Sequence, residues 1–173
     1  LAGLKTMAGL LGDAFAALPG KLELVPPDPV EIVRPDGSVA VVEHGDHLLL
    51  TVRPEAPVQL LFTGHYDTVF GADHPFQATR YLENGCLNGP GTADMKGGIA
   101  LMLAALTAVE TTPLANGFGY QVLIDSDEEV GSPSSAALIA CCAQGKAAAF
   151  TYEPALPDGT LAGARAGSGN FSI

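Results

Sequence analysis

One histidine and five acids stand where predicted strands end or a predicted helix begins, and their side chains are those of metal ligands. His65 and Asp67 follow the apolar run VQLLF at 58–62 with two-residue spacing, which places both side chains on the same side of an extended chain. Such a histidine can bind a metal through one nitrogen while the carboxylate accepts a hydrogen bond from the other. Alone, the pair fits an ordinary hydrogen-bonded turn equally well, so its meaning depends on the later acids.

Four more acids lie beside later predicted elements, namely Asp94, Glu128, Glu129 and Glu153. Ligand sites of open α/β sheets lie beyond the carboxyl ends of the strands, so we expect these residues to meet at one edge. Two divalent cations ~3.5–4 Å apart need a shared carboxylate and separate flanking ligands. Imidazole and carboxylate ligands suit zinc, with cobalt or manganese as substitutes. Of two adjacent glutamates, one can bind metal while the other acts as a general base toward water.

The rest of the chain predicts the elements that position these residues. Helices are predicted over 1–18, 95–111 and 132–145, and strands over 21–25, 38–43, 47–53, 58–62, 79–83, 86–88, 119–124 and 147–152. Strands that alternate with helices are typical of an α/β fold with a mainly parallel, mixed sheet. The helix at 95–111 is expected to have little exposed surface. The strands at 38–43 and 47–53 are expected to form a hairpin, with His44 and His47 as solvated turn residues.

Composition excludes several classes of function. Apolar residues make up 47% of the 173 and charged residues 16%, which argues against disorder. The net charge is −11, from 19 acids and 8 bases, and without a basic stripe we expect no nucleic-acid partner. We also expect no membrane span, since no apolar run of about 18 residues is evident. The three cysteines predict no disulfide framework, and Cys141 and Cys142 are expected to be small buried hydrophobes.

Four ordered motifs resemble one family: GHYDTVF at 64–70, GPGTADMKGG at 89–98, DSDEEVGS at 125–132 and YEP at 152–154. They are similar to the co-catalytic zinc hydrolases that include glutamate carboxypeptidase, acetylornithine deacetylase, succinyl-diaminopimelate desuccinylase and aminoacylase. The resemblance implies a three-layer α/β/α fold and two zinc ions. It also implies hydrolysis of an amide or peptide bond next to a free carboxylate, in a small peptide or an N-acyl amino acid.

The resemblance assigns a role to each residue of the set. His65 and Glu153 would bind the first metal, Glu129 would bind the second, and Asp94 would bridge the two. Asp67 would orient the site, and Glu128 would be the general base and acid. A cis peptide is implied after the bridging aspartate, at Asp94-Met95. Local alternatives stay open: Asp94 as a helix N-cap, Glu128-Glu129 as a solvated acidic turn, and Glu153 as a surface loop residue.

The resemblance also bears on domain organisation. It implies that 1–173 is the N-terminal portion of a catalytic domain, and that 155–173 begins the crossover toward a smaller lid domain. The lid, which usually mediates homodimerisation, and one more histidine ligand would lie outside this sequence. The absence of an initiating Met suggests a lost upstream segment, and the free thiols and lack of a visible signal favour a cytoplasmic location.

Two further interpretations remain. The chain could be a folded, non-catalytic fragment that binds at most one metal through His65, Asp94 and Glu153. It could also be a structural α/β domain whose acids only make it soluble.

Overall fold

The computed structural model describes residues 1–83, 85–156 and 158–160. The helices are α1 (Ala2–Phe15), α2 (Gly97–Glu110) and α3 (Ala136–Ala143). The strands are β1 (Lys21–Val25), β2 (Val30–Val33), β3 (Val39–Val42), β4 (His47–Val52), β5 (Gln59–His65), β6 (Arg80–Tyr81), β7 (Leu87–Asn88), β8 (Gly119–Asp125) and β9 (Ala148–Thr151). Short turns of π or 3-10 type lie at Thr92–Lys96, Pro113–Gly117 and Glu128–Val130.

A five-stranded mixed sheet forms the centre, in the order β1-β4-β8-β5-β9. Strand β5 is parallel to both β8 and β9, whereas β4 is antiparallel to β8 and β1 is antiparallel to β4. In the parallel pair, His65 at the end of β5 lies opposite Asp125 at the end of β8. The predicted α/β fold with a mixed sheet is therefore confirmed, and its parallel strands end at one edge.

Helices cover both faces of this sheet. On one face α1 and α2 pack through Ala8, Phe15, Ile99, Met102 and Leu106 against sheet residues that include Leu48, Leu50, Phe62, Val122 and Ile124. On the other face α3 packs through Leu138, Ile139 and Cys142 against Leu49, Leu61 and Leu123. The sheet residues alternate between the two faces, as the period of a strand requires. These contacts build the expected three layers.

The predicted hairpin between 38–43 and 47–53 is wrong. Strand β3 pairs with β2, which was not predicted, in a separate two-stranded sheet. Strand β4 instead lies between β1 and β8 in the central sheet. Four of its six residues are buried, and this burial of apolar surface outweighs the short connection that a hairpin would have offered.

Two helices also differ from expectation. Helix α3 begins at Ala136 rather than at Ser132, because Ser132 has a φ of 55°, outside the helical region. Helix α2 is less buried than predicted, since Leu101 is 62% exposed. Of the adjacent cysteines in α3, Cys142 is buried but Cys141 is exposed, so that prediction holds for Cys142 alone.

One segment, Thr92–Glu110, is long and apolar enough to cross a membrane by length and composition, with a mean hydropathy of 1.3. The segment contains Asp94 and Lys96, so it does not contradict the expectation that no unbroken apolar run of about 18 residues exists. In the fold most of this segment is α2, whose Ile99, Met102 and Leu106 lie in the core of the α/β domain. The predicted crossover at 155–173 lies outside the described residues except for 155–156 and 158–160, and it remains a prediction.

Candidate metal centre

His65 occupies the centre of the candidate site. It is the last residue of β5 and is only 1% exposed. Its Nδ1 lies 3.0 Å from Oδ1 of Asp67, and its Nε2 lies 3.0 Å from Oδ1 of Asp94. Asp67 therefore holds the imidazole ring at Nδ1, while Nε2 faces the partly exposed carboxylates of Asp94, Glu128 and Glu153.

Asp94 reaches this position from the irregular turn Thr92–Lys96 that precedes α2. The Asp94-Met95 peptide is cis, as the resemblance implied. Met95 is fully buried beneath the site, and its Sδ accepts the backbone N–H of His65 at 3.2 Å. Gly64 leaves the space that Met95 fills, since a Cβ there would lie 2.9 Å from Cε of Met95. The Asp94 side chain does not cap α2, whose N-cap residue is Lys96.

Glu128 and Glu129 lie on the short turn Glu128–Val130 that follows β8. Oε2 of Glu128 is 3.9 Å from Nε2 of His65, and about half of this side chain is exposed. The backbone N–H of Glu129 donates to Oδ2 of Asp67 at 3.0 Å. The pair is thus attached to the histidine cluster rather than standing apart as a solvated turn.

Glu153 follows β9 and places Oε1 3.8 Å from Nε2 of His65. The approach depends on Gly98 in the first turn of α2, because a Cβ at that position would overlap the backbone carbonyl oxygen of Tyr152. Close packing between α2 and the end of β9 therefore brings Glu153 into the site, although its sequence context is that of a surface loop.

The ligand atoms form two groups that both include His65. In each group the atoms lie within 4.8 Å of one another: His65, Glu128 and Glu153 in one, and His65, Asp94 and Glu129 in the other. All six residues predicted from the sequence are thus brought together, five of them as possible ligands and Asp67 as the residue that holds two of the others. Each of Glu128 and Glu129 belongs to one of these groups, so distance alone does not show which of them binds metal and which acts as the general base.

Electrostatics favour a cation in this cluster. Burial opposes charge on His65, but hydrogen bonds to Asp67 and Asp94 outweigh it and raise the pKa of His65 to about 9. Burial, together with the negative charge of Asp94, raises the pKa of Glu153 to about 7. Burial and Asp94 also raise the pKa of Glu129. Crowded carboxylates around one imidazole are stabilised by positive charge, and this donor set fits zinc.

A second polar cluster beside the site was missed by sequence reasoning. His47, Asp127 and Ser134 are all buried, with exposures of 1%, 0% and 2%. The prediction that His47 is a solvated turn residue is wrong, because β4 carries it into the central sheet; His44 is half-buried. Asp127 stands inside the acidic motif and could have been noticed there, whereas Ser134 carries no signal in the sequence.

Known proteins similar to this chain include the members of one family. The family described as Peptidase family M20/M25/M40 matches residues 61–167, which is more than half of the chain. Succinyl-diaminopimelate desuccinylase 2 of Shewanella loihica is 42% identical over an alignment of 90 residues, and the match covers 47% of this chain and 22% of that protein. The succinyl-diaminopimelate desuccinylase of Halorhodospira halophila is 39% identical over an alignment of 74 residues, and the match covers 39% of this chain and 19% of that protein. The matched segments thus span about a fifth of the length of these curated relatives.

Solved structures share the fold. The M20 family metallo-carboxypeptidase Sso-CP2 of Sulfolobus solfataricus superposes with a TM-score of 0.66 at 18% identity, over 91% of this chain and 34% of that one. Human carnosine dipeptidase 1 gives a TM-score of 0.65 at 18% identity, over 86% of this chain and 32% of that one. At this identity the likeness concerns the fold alone.

Proposed function

The chain belongs to peptidase family M20/M25/M40, and from that premise we propose that it forms the metal-binding part of a hydrolase that cleaves an amide bond next to a free carboxylate. The observation that carries the proposal is the convergence of five ligand-type side chains and Asp67 at one edge of the sheet, around the buried His65. The desuccinylase relatives favour N-acyl amino acids as substrates, and the carboxypeptidase neighbour favours small peptides.

We assign the metal ligands as the resemblance implied. His65 and Glu153 would hold the first zinc ion, Glu129 would hold the second, and Asp94 would be shared by the two, with cobalt or manganese as substitutes. When bound, the ions act as Lewis acids that polarise the substrate carbonyl and make water more acidic. Asp67 keeps Nδ1 of His65 engaged, which leaves Nε2 to serve as the ligand atom.

Glu128 performs the proton transfers in this proposal. Its half-exposed carboxylate takes a proton from the attacking water as the new C–O bond forms. The same carboxyl group then delivers that proton to the leaving nitrogen as the C–N bond breaks. The second proton of the water, left on the new carboxyl group, then passes to the amine, so the products are a carboxylate and an ammonium group and Glu128 returns to its ionised form.

A second candidate is a folded segment that binds one metal ion and performs no chemistry by itself. It is favoured by the fact that both ligand groups depend on His65, the one imidazole at the site among the described residues. A single Nε2 binds one ion, so these residues complete one three-ligand site, and the other ion retains only Asp94 and Glu129. We propose that 1–173 is the N-terminal portion of a catalytic domain, whose remaining part and a dimerising lid supply the missing contacts.

The test uses two proteins, the 173-residue chain and the longer protein of which we propose that it is a part, here called the full-length protein. Each is chelated, reloaded with zinc and assayed for metal content and for hydrolysis of N-succinyl and N-acetyl amino acids and of peptides ending in glutamate. Two ions and turnover in the full-length protein, with one ion and no turnover in the chain, support the proposal for both. A full-length protein that binds no zinc, or that binds two ions and hydrolyses none of these substrates, contradicts the proposed function.

A further inference from the structure

Glu128 needs support from outside its own turn. The turn Glu128–Val130 is only three residues long, and the Glu128 side chain is 48% exposed. A general base must stay within hydrogen-bond reach of the proton that it removes. Burial therefore does not fix the position of the Glu128 side chain, whereas the residue before it, Asp127, is fully buried.

We infer that Asp127 is a positioning residue for Glu128, which it holds through a buried chain of hydrogen bonds to Ser134 and His47; this inference rests on the proposed function of Glu128. Oδ2 of Asp127 accepts two hydrogen bonds from Ser134, one from the backbone N–H at 2.6 Å and one from the hydroxyl at 2.8 Å. The backbone carbonyl of Asp127 accepts the N–H of Ser132 at 2.8 Å. The loop 127–134 is thus closed on Asp127 by its carboxylate and its carbonyl together.

Ser134 connects this loop to the rest of the fold. Oγ of Ser134 gives its proton to Asp127, so it is free to accept one from Nε2 of His47, which lies 3.4 Å away. His47 is the first residue of β4 and is fixed in the central sheet, where it pairs with Val25 of β1. The carbonyl of Ser134 also accepts the backbone N–H of Asp28 at 3.2 Å. The chain His47–Ser134–Asp127, here called the buried brace, therefore links the turn of Glu128 to a strand.

Glu129 has a separate anchor. Its backbone N–H donates to Oδ2 of Asp67, on the side of the turn that faces His65. Loss of the buried brace should therefore displace Glu128 more than it displaces the metal ligand next to it. This separation distinguishes a positioning role from general support of the fold, which would weaken metal binding and catalysis together.

The experiment uses the full-length protein and the variants Asp127→Ala, Asp127→Asn and Val122→Ala. Asn keeps a side-chain oxygen that can accept both bonds from Ser134, whereas Ala keeps none. Val122 is fully buried in β8 and outside the buried brace, so its truncation is the control for lost stability. We expect Asp127→Ala to lower kcat about 10–100-fold, with KM and zinc content within about threefold of the wild type. Asp127→Asn should recover most of kcat, and Val122→Ala should lower Tm without lowering kcat.

Several results overturn the inference. If Asp127→Asn and Asp127→Ala lower kcat equally, the charge of Asp127 matters and its acceptance of hydrogen bonds does not. A kcat for Asp127→Ala like that of Val122→Ala would mean that no positioning occurs. If Asp127→Ala does not fold, Ser134→Ala replaces it, because that variant removes the hydroxyl bonds to Asp127 and His47 but keeps the backbone N–H bond to Asp127. An unchanged kcat there also overturns the inference.

Amide hydrogen exchange keeps this result separate from the proposed function. Exchange at the amides of residues 130–132 and 134 should be faster in Asp127→Ala than in the wild type or in Asp127→Asn, whether or not the protein hydrolyses a substrate. If the wild type hydrolyses no substrate, the proposed function is contradicted. If amide exchange in Asp127→Ala is the same as in the wild type, the role of the buried brace is contradicted.

Discussion

Asp67 and Glu129 lie 62 residues apart in the chain and are joined by a hydrogen bond of 3.0 Å from the backbone N–H of Glu129 to Oδ2 of Asp67. The other oxygen of Asp67 lies 3.0 Å from Nδ1 of His65. One carboxylate, with 11% of its side chain exposed, therefore sets the spacing between the end of β5 and the turn that follows β8. The position of two candidate ligands depends on a residue that need not touch metal.

From this relationship we expect Asp67→Ala to lower zinc affinity about 10–100-fold, the usual effect of removing a partner behind a metal ligand. Asp67→Asn should lower it less, because its side-chain oxygen can still accept one of the two bonds. The measurement is competition with a zinc chelator of known affinity. Asp13→Ala removes an equal charge from the exposed side of α1 and should leave the affinity unchanged. Equal losses in Asp13→Ala and Asp67→Ala would show that only net charge matters.

Glu128 and Glu129 should respond in opposite ways to the same substitution. Glu128→Ala in the full-length protein should keep its zinc and lose hydrolysis, since removal of a general base costs about 10²–10⁴-fold in rate. Glu129→Ala should lose part of its zinc, and its activity should rise when zinc is added in excess. Metal content and kcat are measured on the same preparations. Loss of zinc from Glu128→Ala would assign Glu128 as a ligand, as its distance to His65 also permits.

The site was more predictable from the sequence than the sheet around it. His65, Asp94 and Glu153 each lie next to an apolar element in the sequence. Because parallel strands end at a common edge, these local patterns were enough to predict that the three residues lie close together. The sequence around β4 does not indicate which strand β4 pairs with. Strand β4 pairs with β8 about 70 residues further along, and a short turn next to β4 favoured the wrong neighbour.

The burial of His47 was missed for the same reason. A histidine near His44, Gly45 and Asp46 has the local signature of a turn, and only the placement of β4 inside the sheet buries it. The contact of Gly98 with Tyr152 is likewise set by the packing of α2 on the end of β9 and leaves no signal except a glycine. Tertiary contacts, which the local sequence does not show, determine both the burial of His47 and the need for glycine at position 98.

Gly98 should tolerate no side chain. In Gly98→Ala the new Cβ would overlap the carbonyl oxygen of Tyr152, next to Glu153, so we expect a loss of about 1–3 kcal/mol in the free energy of unfolding together with weaker zinc binding. Gly9→Ala is the matched control, because Gly9 lies in α1 with nothing within 4 Å of the added Cβ. It should stabilise the protein by about 0.5–1 kcal/mol. Denaturant unfolding and zinc titration measure both, and normal zinc affinity in Gly98→Ala would contradict the link to Glu153.

His47 should make the fold sensitive to acid. Burial lowers the pKa of His47, although Asp127, the backbone of Ser134 and Asp46 act in the opposite direction, and His44 adds to the lowering. The unfolded chain therefore binds a proton more readily than the folded one. As pH falls through the ordinary histidine value of about 6.5 toward the folded-state pKa, the free energy of unfolding should decrease, by at most about 1.4 kcal/mol per pH unit for one proton.

The test of this pH dependence is His47→Gln, which stays neutral and keeps an amide N–H at the end of its side chain. We expect its free energy of unfolding to fall less steeply than that of the wild type between pH 7 and pH 5. His74 is exposed, and His74→Gln is the matched control for the loss of one imidazole. Because the same carboxylates titrate in all three proteins, the difference between their slopes isolates one imidazole. Parallel curves for His47→Gln and the wild type would mean that His47 is protonated as readily in the folded protein as in the unfolded chain.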